Sequence, residues 1–536
     1  MRFWVFRVCF LLFLLLLGAC GGSTSSPKED RVLRINLFQD PLTLDPRKAR
    51  DLHTITLMRM LFEGLTRVAK DGAVELALAT DVKRSDDGLR YTFSLRNSYW
   101  SNGEPVTSFD FADSWKSLLD PSFPSDVAYQ LYGIKNAKKV KGGEVSLDQL
   151  GISTPDAQTL IIDLETPLPY FLEIVSMSSF LPVPSNMAKL RTDWEHDPKV
   201  HVGNGPFVIQ SWRRGDQIEM VKNPKYWQVS DVKISSIELL MLSPDTEMQM
   251  FQESKLDWAG SPLSLIPTET ICFLKESQVL KMAPFAATYF FRVNTVAMIQ
   301  GRKNPLANAN FRKALALSVN RSAITEHFLQ GGQTPATAIV PPEMGLSERG
   351  YFCDDSIERG RELLQEAKRE MELETFAPIV VSYSSNARNA AIAQALQHQW
   401  QEGLGIPIQL EAVEPKVYFQ KVSHREFQLA AGSWVADFND PMNFLEVFKY
   451  QSASTNNTNW EHPKYIDLLN RSSVCRDSKE RKELLREAEK ILMEEMPIIP
   501  IYHFSMNYLK NDLLEDVVLS SMGQMDFRWA YFSDEI

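Results

Sequence analysis

The sequence contains little cysteine, and its cysteines are poorly placed for chemistry. Five are present: Cys9 and Cys20 near the N-terminus, then Cys272, Cys353 and Cys475 far apart along the chain. No two of them form a Cys-x-x-Cys pair, which argues against thiol redox chemistry and against a thiolate metal site. One disulfide among the last three remains open in an oxidising compartment, but the sequence does not identify the pair.

Motifs of the common enzyme classes are also missing. The sequence has no Gly-x-Ser-x-Gly elbow, no His-Glu-x-x-His pair, no glycine-rich phosphate loop and no acidic calcium loop. We therefore expect no catalytic residues, no cofactor and no resident metal. These absences favour a binding protein over an enzyme.

Positive charge is scarce relative to negative charge. The chain has 57 lysines and arginines against 68 aspartates and glutamates, a net charge of −11. A nucleic-acid-binding protein would show a basic excess or a basic face, so we expect no nucleic-acid partner. Because so many carboxylates form pairs by chance, such pairs are no evidence for glycosidase chemistry.

Long apolar runs are absent except at the N-terminus. Arg2 and Arg7 precede an uninterrupted apolar run over residues 10–17, which is too short to span a membrane as a helix. This order is typical of a secretory signal peptide, which we place at residues 1–19.

The end of this leader resembles a bacterial lipobox. Leu17-Gly18-Ala19-Cys20 places small residues before a cysteine, which implies cleavage before Cys20 and lipidation of that residue. The alternative is an ordinary signal peptide with an incidental cysteine. Residues 20–31, rich in Gly, Ser and Pro, would form a flexible tether to the membrane.

The rest of the chain alternates between strand-like and helix-like patterns, which predicts an α/β protein. Residues 32–38 alternate as a strand, whereas residues 54–65 and 109–119 have helical spacing, the latter with an N-cap at Thr107-Ser108. Residues 478–496 form another predicted helix, followed by a strand over residues 498–503. With 536 residues, the chain is too long for one hydrophobic core, so two or three lobes are expected.

Several sequence blocks together resemble one protein family. Each block alone is weak, but their order and spacing cover nearly the whole chain after the leader. The blocks are Leu44-Asp45-Pro46, Leu61-Phe62-Glu63-Gly64-Leu65, Tyr91-Thr92-Phe93-Ser94-Leu95-Arg96, Gly203-Asn204-Gly205-Pro206-Phe207, Asn223-Pro224-Lys225-Tyr226-Trp227 and Gly432-Ser433-Trp434-Val435-Ala436-Asp437. The chain resembles the extracellular solute-binding proteins of the peptide/nickel ABC-transporter family (family 5), and most closely the oligopeptide-binding proteins.

The resemblance implies a periplasmic-binding-protein-like fold of class II, with two hinged lobes and an additional inserted N-terminal subdomain. The lobes would close over a ligand held between them. The expected divisions are residues 32–66, 191–286 and 503–536 for lobe I, 67–190 for the inserted subdomain, and 287–502 for lobe II.

The resemblance also implies a set of ligand-binding residues. In relatives, the segment that matches Gly432, Ser433, Trp434 and Val435 pairs with the ligand's main chain, as does the segment that matches Arg50, Asp51 and Leu52. Asp437 stands where the family places the carboxylate that binds the ligand's ammonium group. From local sequence alone, Asp437 also suits a turn, and Trp434 also suits a core.

Some positions depart from the family pattern. Ala431 stands where some relatives offer a basic residue to the ligand's carboxylate, and Asp126 replaces an aromatic residue. Arg50 and Asp51 also differ in charge arrangement. These differences leave the recognition of a free carboxylate, the ligand's length and its preference open.

The predicted function is an extracytoplasmic, lipid-anchored oligopeptide receptor that delivers peptides to the permease subunits of an ABC importer, and we expect a monomer. One alternative is a nickel or haem receptor of the same family, for which Asp193, His196, Asp197 and His201 are candidate metal ligands. Another is a surface lipoprotein that has lost transport.

Overall fold

The computed structural model describes residues 32–70, 72–185, 194–299, 301–347 and 349–533. The predicted signal peptide, Cys20 and the tether lie outside the described residues, as does Asp193. Among the residues that are described, no helix is long and apolar enough to cross a membrane.

Several strands alternate between buried and less buried side chains, and the first strand begins in this way. In β1, Leu33 and Ile35 are fully buried whereas Arg34 is exposed. The strands in chain order are β1 (Leu33–Asn36), β2 (Thr66–Val68), β3 (Val74–Leu76), β4 (Ala79–Arg84), β5 (Arg90–Leu95), β6 (Ile152–Asp156), β7 (Thr159–Asp163), β8 (Phe207–Arg213), β9 (Gln217–Lys222), β10 (Ser236–Leu240), β11 (Trp258–Gly260), β12 (Lys281–Val293), β13 (Met298–Ile299), β14 (Arg302–Lys303), β15 (Thr334–Pro335), β16 (Ile379–Ser384), β17 (Ile408–Val413), β18 (Leu429–Val435), β19 (Ile498–Lys510), β20 (Leu514–Glu515), β21 (Val518–Leu519), β22 (Met525–Asp526) and β23 (Tyr531–Phe532).

Helices lie between these strands, and several begin with side-chain caps. Thr107 and Asp110 form a capping box at the start of helix Ser108–Leu119, which confirms the predicted N-cap. The α-helices are Leu52–Leu61, Ser108–Leu119, Ala137–Lys141, Phe171–Ile174, Pro244–Gln252, Thr268–Glu276, Ala309–Leu317, Arg321–Ala323, Ile357–Met371, Ala387–Leu404, Pro415–Ser423, Met442–Leu445, Pro463–Val474 and Ser478–Glu495.

One mixed sheet of eleven strands organises the chain, in the order β17-β16-β18-β12-β19-β11-β1-β10-β9-β8, with β15 added beside β19. The antiparallel strands β12 and β19 join its two halves, since β12 pairs with β18 on one side and β19 pairs with β11 on the other. The pairing of β12 with β19 shifts register between Pro284 and Thr288. A bulge or irregularity of this kind bends the paired strands at that point.

A second sheet lies earlier in the chain, with strand order β4-β5-β7-β6. Helix Ser108–Leu119 packs against it through Phe111 and Trp115, which are fully buried. The indole of Trp115 donates a 2.9 Å hydrogen bond to the carbonyl of Phe180. Phe111 and Trp115 belong to a buried core that continues into the large sheet, where it includes Ile35 and Ile237.

The predicted helices and strands of the first subsection are present with small shifts in their ends. The helix predicted at residues 54–65 is observed as Leu52–Leu61, and that predicted at residues 478–496 is Ser478–Glu495. The strand predicted at residues 498–503 continues to Lys510, because its second half pairs with β11 and β12 rather than ending in a loop.

Candidate functional site

The strand β18 has an open edge. On one side β12 pairs with it from Leu429 to Val435. On the other side β16 pairs only with Leu429 and Ala430. Beyond these two residues, the side of β18 that faces away from β12 has no strand beside it among the described residues.

The ladder between β12 and β18 determines which groups face that open edge. Ala436 donates its main-chain N–H to the carbonyl of Ala286 at 2.9 Å. In an antiparallel pair, alternate residues point their N–H and C=O groups at the partner strand. Trp434 therefore points its backbone at β12, and Ser433 and Val435 point theirs away from it.

No described group occupies this edge at Ser433 and Val435. The carbonyl of Ala431, one step earlier, accepts a hydrogen bond from the hydroxyl of Tyr418. Ser433 is exposed, and the side chain of Val435 is 46% exposed. Unpaired main-chain donors and acceptors on such an edge are a template for another extended chain.

Gly432 lies against the end of a long side chain from the neighbouring strand. A Cβ at this position would lie 1.6 Å from Nη1 of Arg292. The Arg292 guanidinium lies against the strand backbone, with its Cζ 5.0 Å from the ring of Phe290. Glycine therefore leaves the room that this buried guanidinium occupies.

Trp434 is partly buried and held in one orientation. Its Nε1 donates a 2.8 Å hydrogen bond to Oδ1 of Asn443. Because the rest of the ring lines a cavity, Trp434 serves both as packing and as cavity wall. Its role as a ligand contact stays a prediction.

Asp437 lies where two cavities of about 490 Å³ and 450 Å³ meet. Its side chain forms no ion pair with any described residue, and burial raises the pKa of its carboxyl above the ordinary value. A partly buried carboxylate without a partner is costly, so the site favours a cation beside it.

The neighbouring Asp440 differs from Asp437. Both of its carboxylate oxygens accept 2.8 Å hydrogen bonds from Arg481, and Oδ1 also accepts one from the N–H of Met442. Asp440 is therefore a turn and ion-pair residue, and only Asp437 of this pair is free to bind a ligand.

The cavity of about 490 Å³ brings together residues far apart in the chain, including Tyr129, Tyr170, Phe438, Glu446 and Lys449. The rings of Tyr170 and Phe438 stack with centroids 4.7 Å apart and planes 8° apart. The walls thus combine aromatic and aliphatic side chains with charged groups at a few points, as in many ligand sites.

Glu446 adds a second carboxylate to this cavity. Burial raises its pKa to about 7, with Asp440 and Asp437 adding to the rise and Lys449 opposing it. Its side chain is nevertheless exposed to solvent. We attribute the raised pKa and the exposure to its position on a cavity wall, where protein surrounds the carboxyl group on all sides but one.

Sequence reasoning missed these wall residues because they share no local motif. Tyr129 and Tyr170 come from the part of the chain with the four-stranded sheet, whereas Glu446 follows β18. Only the fold brings these three positions together, so no spacing along the sequence indicates them.

Arg50 and Asp51, which the family resemblance indicates as ligand contacts, interact with other residues of the protein. Asp51 caps helix Leu52–Leu61, since its oxygens accept hydrogen bonds from the N–H and the hydroxyl of Thr54 at 2.9 and 2.8 Å. Although burial raises the pKa of Asp51, hydrogen bonds from His53 and Thr54 outweigh it and lower this pKa to about 2. Arg50 pairs with Asp126 on the surface.

The structure does not place Arg50, Asp51 or Leu52 among the residues that line the two cavities beside Asp437. Leu52 is the first residue of its helix and is partly buried. Their role as ligand contacts stays a prediction.

The candidate metal ligands are dispersed where they are described. The ring of His201 is buried, stacks on Trp194 with centroids 5.7 Å apart, and lies edge-on to Phe62. Burial lowers its pKa to about 4. Within the described part of the chain, no three His, Cys, Asp or Glu side chains are grouped to hold a metal ion.

Comparison with known proteins identifies the family. The family of bacterial extracellular solute-binding proteins, family 5 (middle region), matches residues 73–456. The chain belongs to this family. It is also 38% identical over 546 residues to the oligopeptide-binding protein OppA of Bacillus subtilis (strain 168), covering 99% of each chain.

Solved structures show the same two-lobed class II fold for this family 5 protein. The murein tripeptide binding protein MppA in its unliganded open form is 28% identical, with 94% of this chain and 98% of that chain covered and a TM-score of 0.83. Haemophilus influenzae OppA in complex with the peptide RPPGFSPFR is 26% identical, with 95% and 100% covered and a TM-score of 0.71.

Proposed function

We propose that this chain is an extracytoplasmic receptor that captures oligopeptides between two lobes and delivers them to an ABC importer. The observation that carries the proposal is the open edge of β18 at Ser433 and Val435, next to the unpaired carboxylate of Asp437. The proposal agrees with the names of similar proteins, since OppA of Bacillus subtilis is named for oligopeptide binding and that of Haemophilus influenzae was solved with a peptide.

A receptor for many peptides must bind what all peptides share. An extended peptide beside β18 would exchange main-chain hydrogen bonds with Ser433 and Val435, which is independent of the ligand's side chains. Each such bond contributes roughly 0.5–1.5 kcal/mol. Affinity then comes from the main chain of the peptide, and the cavity walls discriminate only weakly between its side chains.

The ligand's terminal ammonium would lie at Asp437. An ammonium group has three donors, and a carboxylate accepts charge-assisted hydrogen bonds from them. Burial raises the pKa of Asp437. A bound ammonium group would offset this effect by pairing with the carboxylate. The ligand therefore supplies the partner that the protein lacks.

The ligand's negative end has a candidate partner in Arg388. Tyr289 lies opposite Ser433 in the ladder, stacks on Tyr502 at 5.1 Å, and donates its hydroxyl to Asn389 at 3.1 Å. Arg388 is exposed, lies close enough to Tyr502 to interact with it electrostatically, and has no carboxylate partner within the described ranges. We assign the ligand's carboxylate to Arg388, which would take the place of the basic residue that is missing at Ala431.

The proposed lobes meet at the two long strands. The division between residues 286 and 287 falls inside β12, and that between 502 and 503 falls inside β19. The register shift between Pro284 and Thr288 lies at this point, and a few residues of this kind suffice for a hinge. Residues 67–190 as the inserted subdomain contain the whole four-stranded sheet. The higher TM-score with an open, ligand-free relative supports an open cleft here.

The membrane anchor and the partners complete the proposal. A lipid on Cys20 would hold the receptor at the membrane, within reach of the permease subunits, and the receptor would act as a monomer. Acyl labelling tests the anchor: wild-type protein should incorporate the label and a Cys20→Ser variant should not.

Mass spectrometry of the ligand that copurifies with the protein tests the function. Short peptides released on denaturation are the expected result. A uniform non-peptide ligand, or nickel or haem with no peptide binding, would replace this proposal with one of the alternatives.

A further inference from the structure

A separate cavity of about 590 Å³ lies where the end of β5 meets the turn after β9, and it shares no lining residue with the two cavities beside Asp437. Its walls include Arg96, Ser98, Tyr99, Lys225, Tyr226 and Trp227. The cavity is therefore distinct from the two cavities of the proposed peptide site.

Three hydrogen-bonding groups of this cavity have no partner among the described residues. They are Nε of Arg96, Oγ of Ser98 and Nε1 of Trp227, all of them buried. Ser98 is only 3% exposed. Buried polar groups in proteins are nearly always satisfied, so an exception of this kind indicates a missing ligand or water.

Two cations line the same cavity without a local counter-charge. They are Arg96 and Lys225, and no carboxylate is among its lining residues within the described part of the chain. The guanidinium of Arg96 stacks 3.7 Å from the ring centroid of Trp227. Stacking fixes the plane of the guanidinium and leaves its edge to donate hydrogen bonds.

The negative charge behind the cavity belongs to Glu63, which is already paired with Arg67 and Arg528. Tyr226 connects the cavity to a buried network in which its hydroxyl donates to Glu63 at 2.5 Å and accepts from Arg67 and Arg528 at 3.1 and 3.0 Å. Burial, followed by the charge of Arg67, lowers the pKa of Arg96, and the charge of Glu63 opposes this shift.

The arginines of the buried network already use its carboxylates. Arg59, Arg67 and Arg528 are buried, and they share the buried carboxylates of Glu63 and Asp526. Glu75, which pairs with Arg67 at 2.6 Å, lies nearer the surface, with its side chain 41% exposed. These three arginines thus share three carboxylates, and none of the three forms an ion pair with Arg96.

We propose that this cavity binds a phosphate group. The donors of Arg96, Ser98, Lys225 and Trp227 offer hydrogen bonds and no carboxylate competes for them, which suits an oxyanion with several acceptor oxygens. A phosphate monoester carries about −1.5 to −2 charges at neutral pH, more than one carboxylate, and so matches the two cations of the cavity. The same chemistry serves free phosphate and the headgroup of an anionic lipid.

Calorimetric titration of the detergent-purified full chain with inorganic phosphate, and separately with glycerol 3-phosphate, tests the proposal. Chloride at equal ionic strength is the reference, and thermal unfolding gives a second readout. Binding of inorganic phosphate indicates the free ion, whereas binding of glycerol 3-phosphate alone indicates a headgroup.

The variants Lys225→Gln and Ser98→Ala identify the site, and Arg96→Gln is added where it folds. Each should weaken the titrated anion about tenfold, as expected for one lost charge-assisted or buried hydrogen bond, and should leave peptide affinity unchanged. Lys83→Gln, at an exposed position on β4, is the matched control and should bind as the wild type does. No binding of either probe by the wild type, or equal binding by all variants, overturns the proposal.

Discussion

Ala436 donates its N–H to the carbonyl of Ala286 at 2.9 Å, and this one bond determines the direction of the neighbouring backbone groups of β18. Because antiparallel pairs alternate, Ser433 and Val435 present their main-chain groups to the open side of the strand. The strand β18 is thus paired with β12 along one edge. Its other edge is unpaired at the place where a peptide would bind.

Asp437→Asn should weaken the binding of peptides that have a free N-terminal ammonium. The expected loss is about ten- to a hundredfold, since a hydrogen bond to a charged group contributes roughly 1.5–3 kcal/mol. N-acetylated peptides of the same sequence should lose little, because they have no charge to pair. Calorimetry with the two peptide series measures the difference.

An Asp440→Asn variant is the control for this substitution. Asp440 is paired with Arg481, so its loss should lower the melting temperature and leave the preference for free ammonium groups intact. Equal losses of both peptide series in Asp437→Asn would contradict the assignment of Asp437.

Arg388→Gln should reduce affinity for peptides with a free C-terminal carboxylate, by about tenfold. C-terminally amidated peptides should bind both proteins with similar affinity. Because Arg388 is exposed, the fold should be unaffected. An unchanged preference for the free carboxylate in Arg388→Gln would refute the role of Arg388. The double variant Arg388→Gln/Asp437→Asn, measured with peptides of different length, shows whether both ends of the peptide are bound at once.

The ligand-free protein should be more stable at pH 6 than at pH 8. Burial is the largest cause that raises the pKa values of Glu173, Glu446 and Glu489 from 4.5 to about 7. Between pH 4.5 and 7 the folded state therefore binds more protons than the unfolded state, and this stability is lost as the pH rises through about 7. Thermal unfolding at the two pH values measures the difference.

Glu489→Gln isolates one of these groups. Its Oε1 accepts the N–H groups of Ile339 and Val340 at 3.0 and 2.8 Å, and an amide oxygen keeps these bonds without ionising. The variant should show a smaller difference between pH 6 and pH 8. Glu374→Gln, at an exposed position, should leave the difference unchanged; the same result for Glu489→Gln would contradict the prediction.

Gly432→Ala should destabilise the protein by about 1–3 kcal/mol, because an added Cβ meets the guanidinium of Arg292 and the buried site must rearrange. Shortening the arginine in Arg292→Met should remove most of that cost. A double-mutant cycle measured by denaturant unfolding gives the coupling between the two positions. Additive effects would show that Arg292 is not the obstacle.

The sequence predicted the α/β class, the family and the principal helices, because hydrophobic periodicity and capping residues act locally. The capping box of Thr107 and Asp110 is such a case. Asp51 also acts locally, because it caps the helix that follows it. The family resemblance indicated it as a ligand contact.

The sequence could not separate Asp437 from Asp440, since Asp-Phe-Asn-Asp-Pro suits a turn at either carboxylate. Only the position of Arg481, on a helix that follows about 40 residues later, shows which of the two is already paired. The cavity walls formed by Tyr129, Tyr170 and Glu446 depend on tertiary contacts in the same way.

Residue-resolved hydrogen exchange of the purified receptor, with and without a bound oligopeptide, tests the central claim most directly. The amides of Ser433 and Val435 should exchange quickly in the free protein and become protected when the peptide binds. The amide of Trp434, which already points at β12, should be protected in both states. Peptide binding that leaves Ser433 and Val435 unprotected would contradict the account.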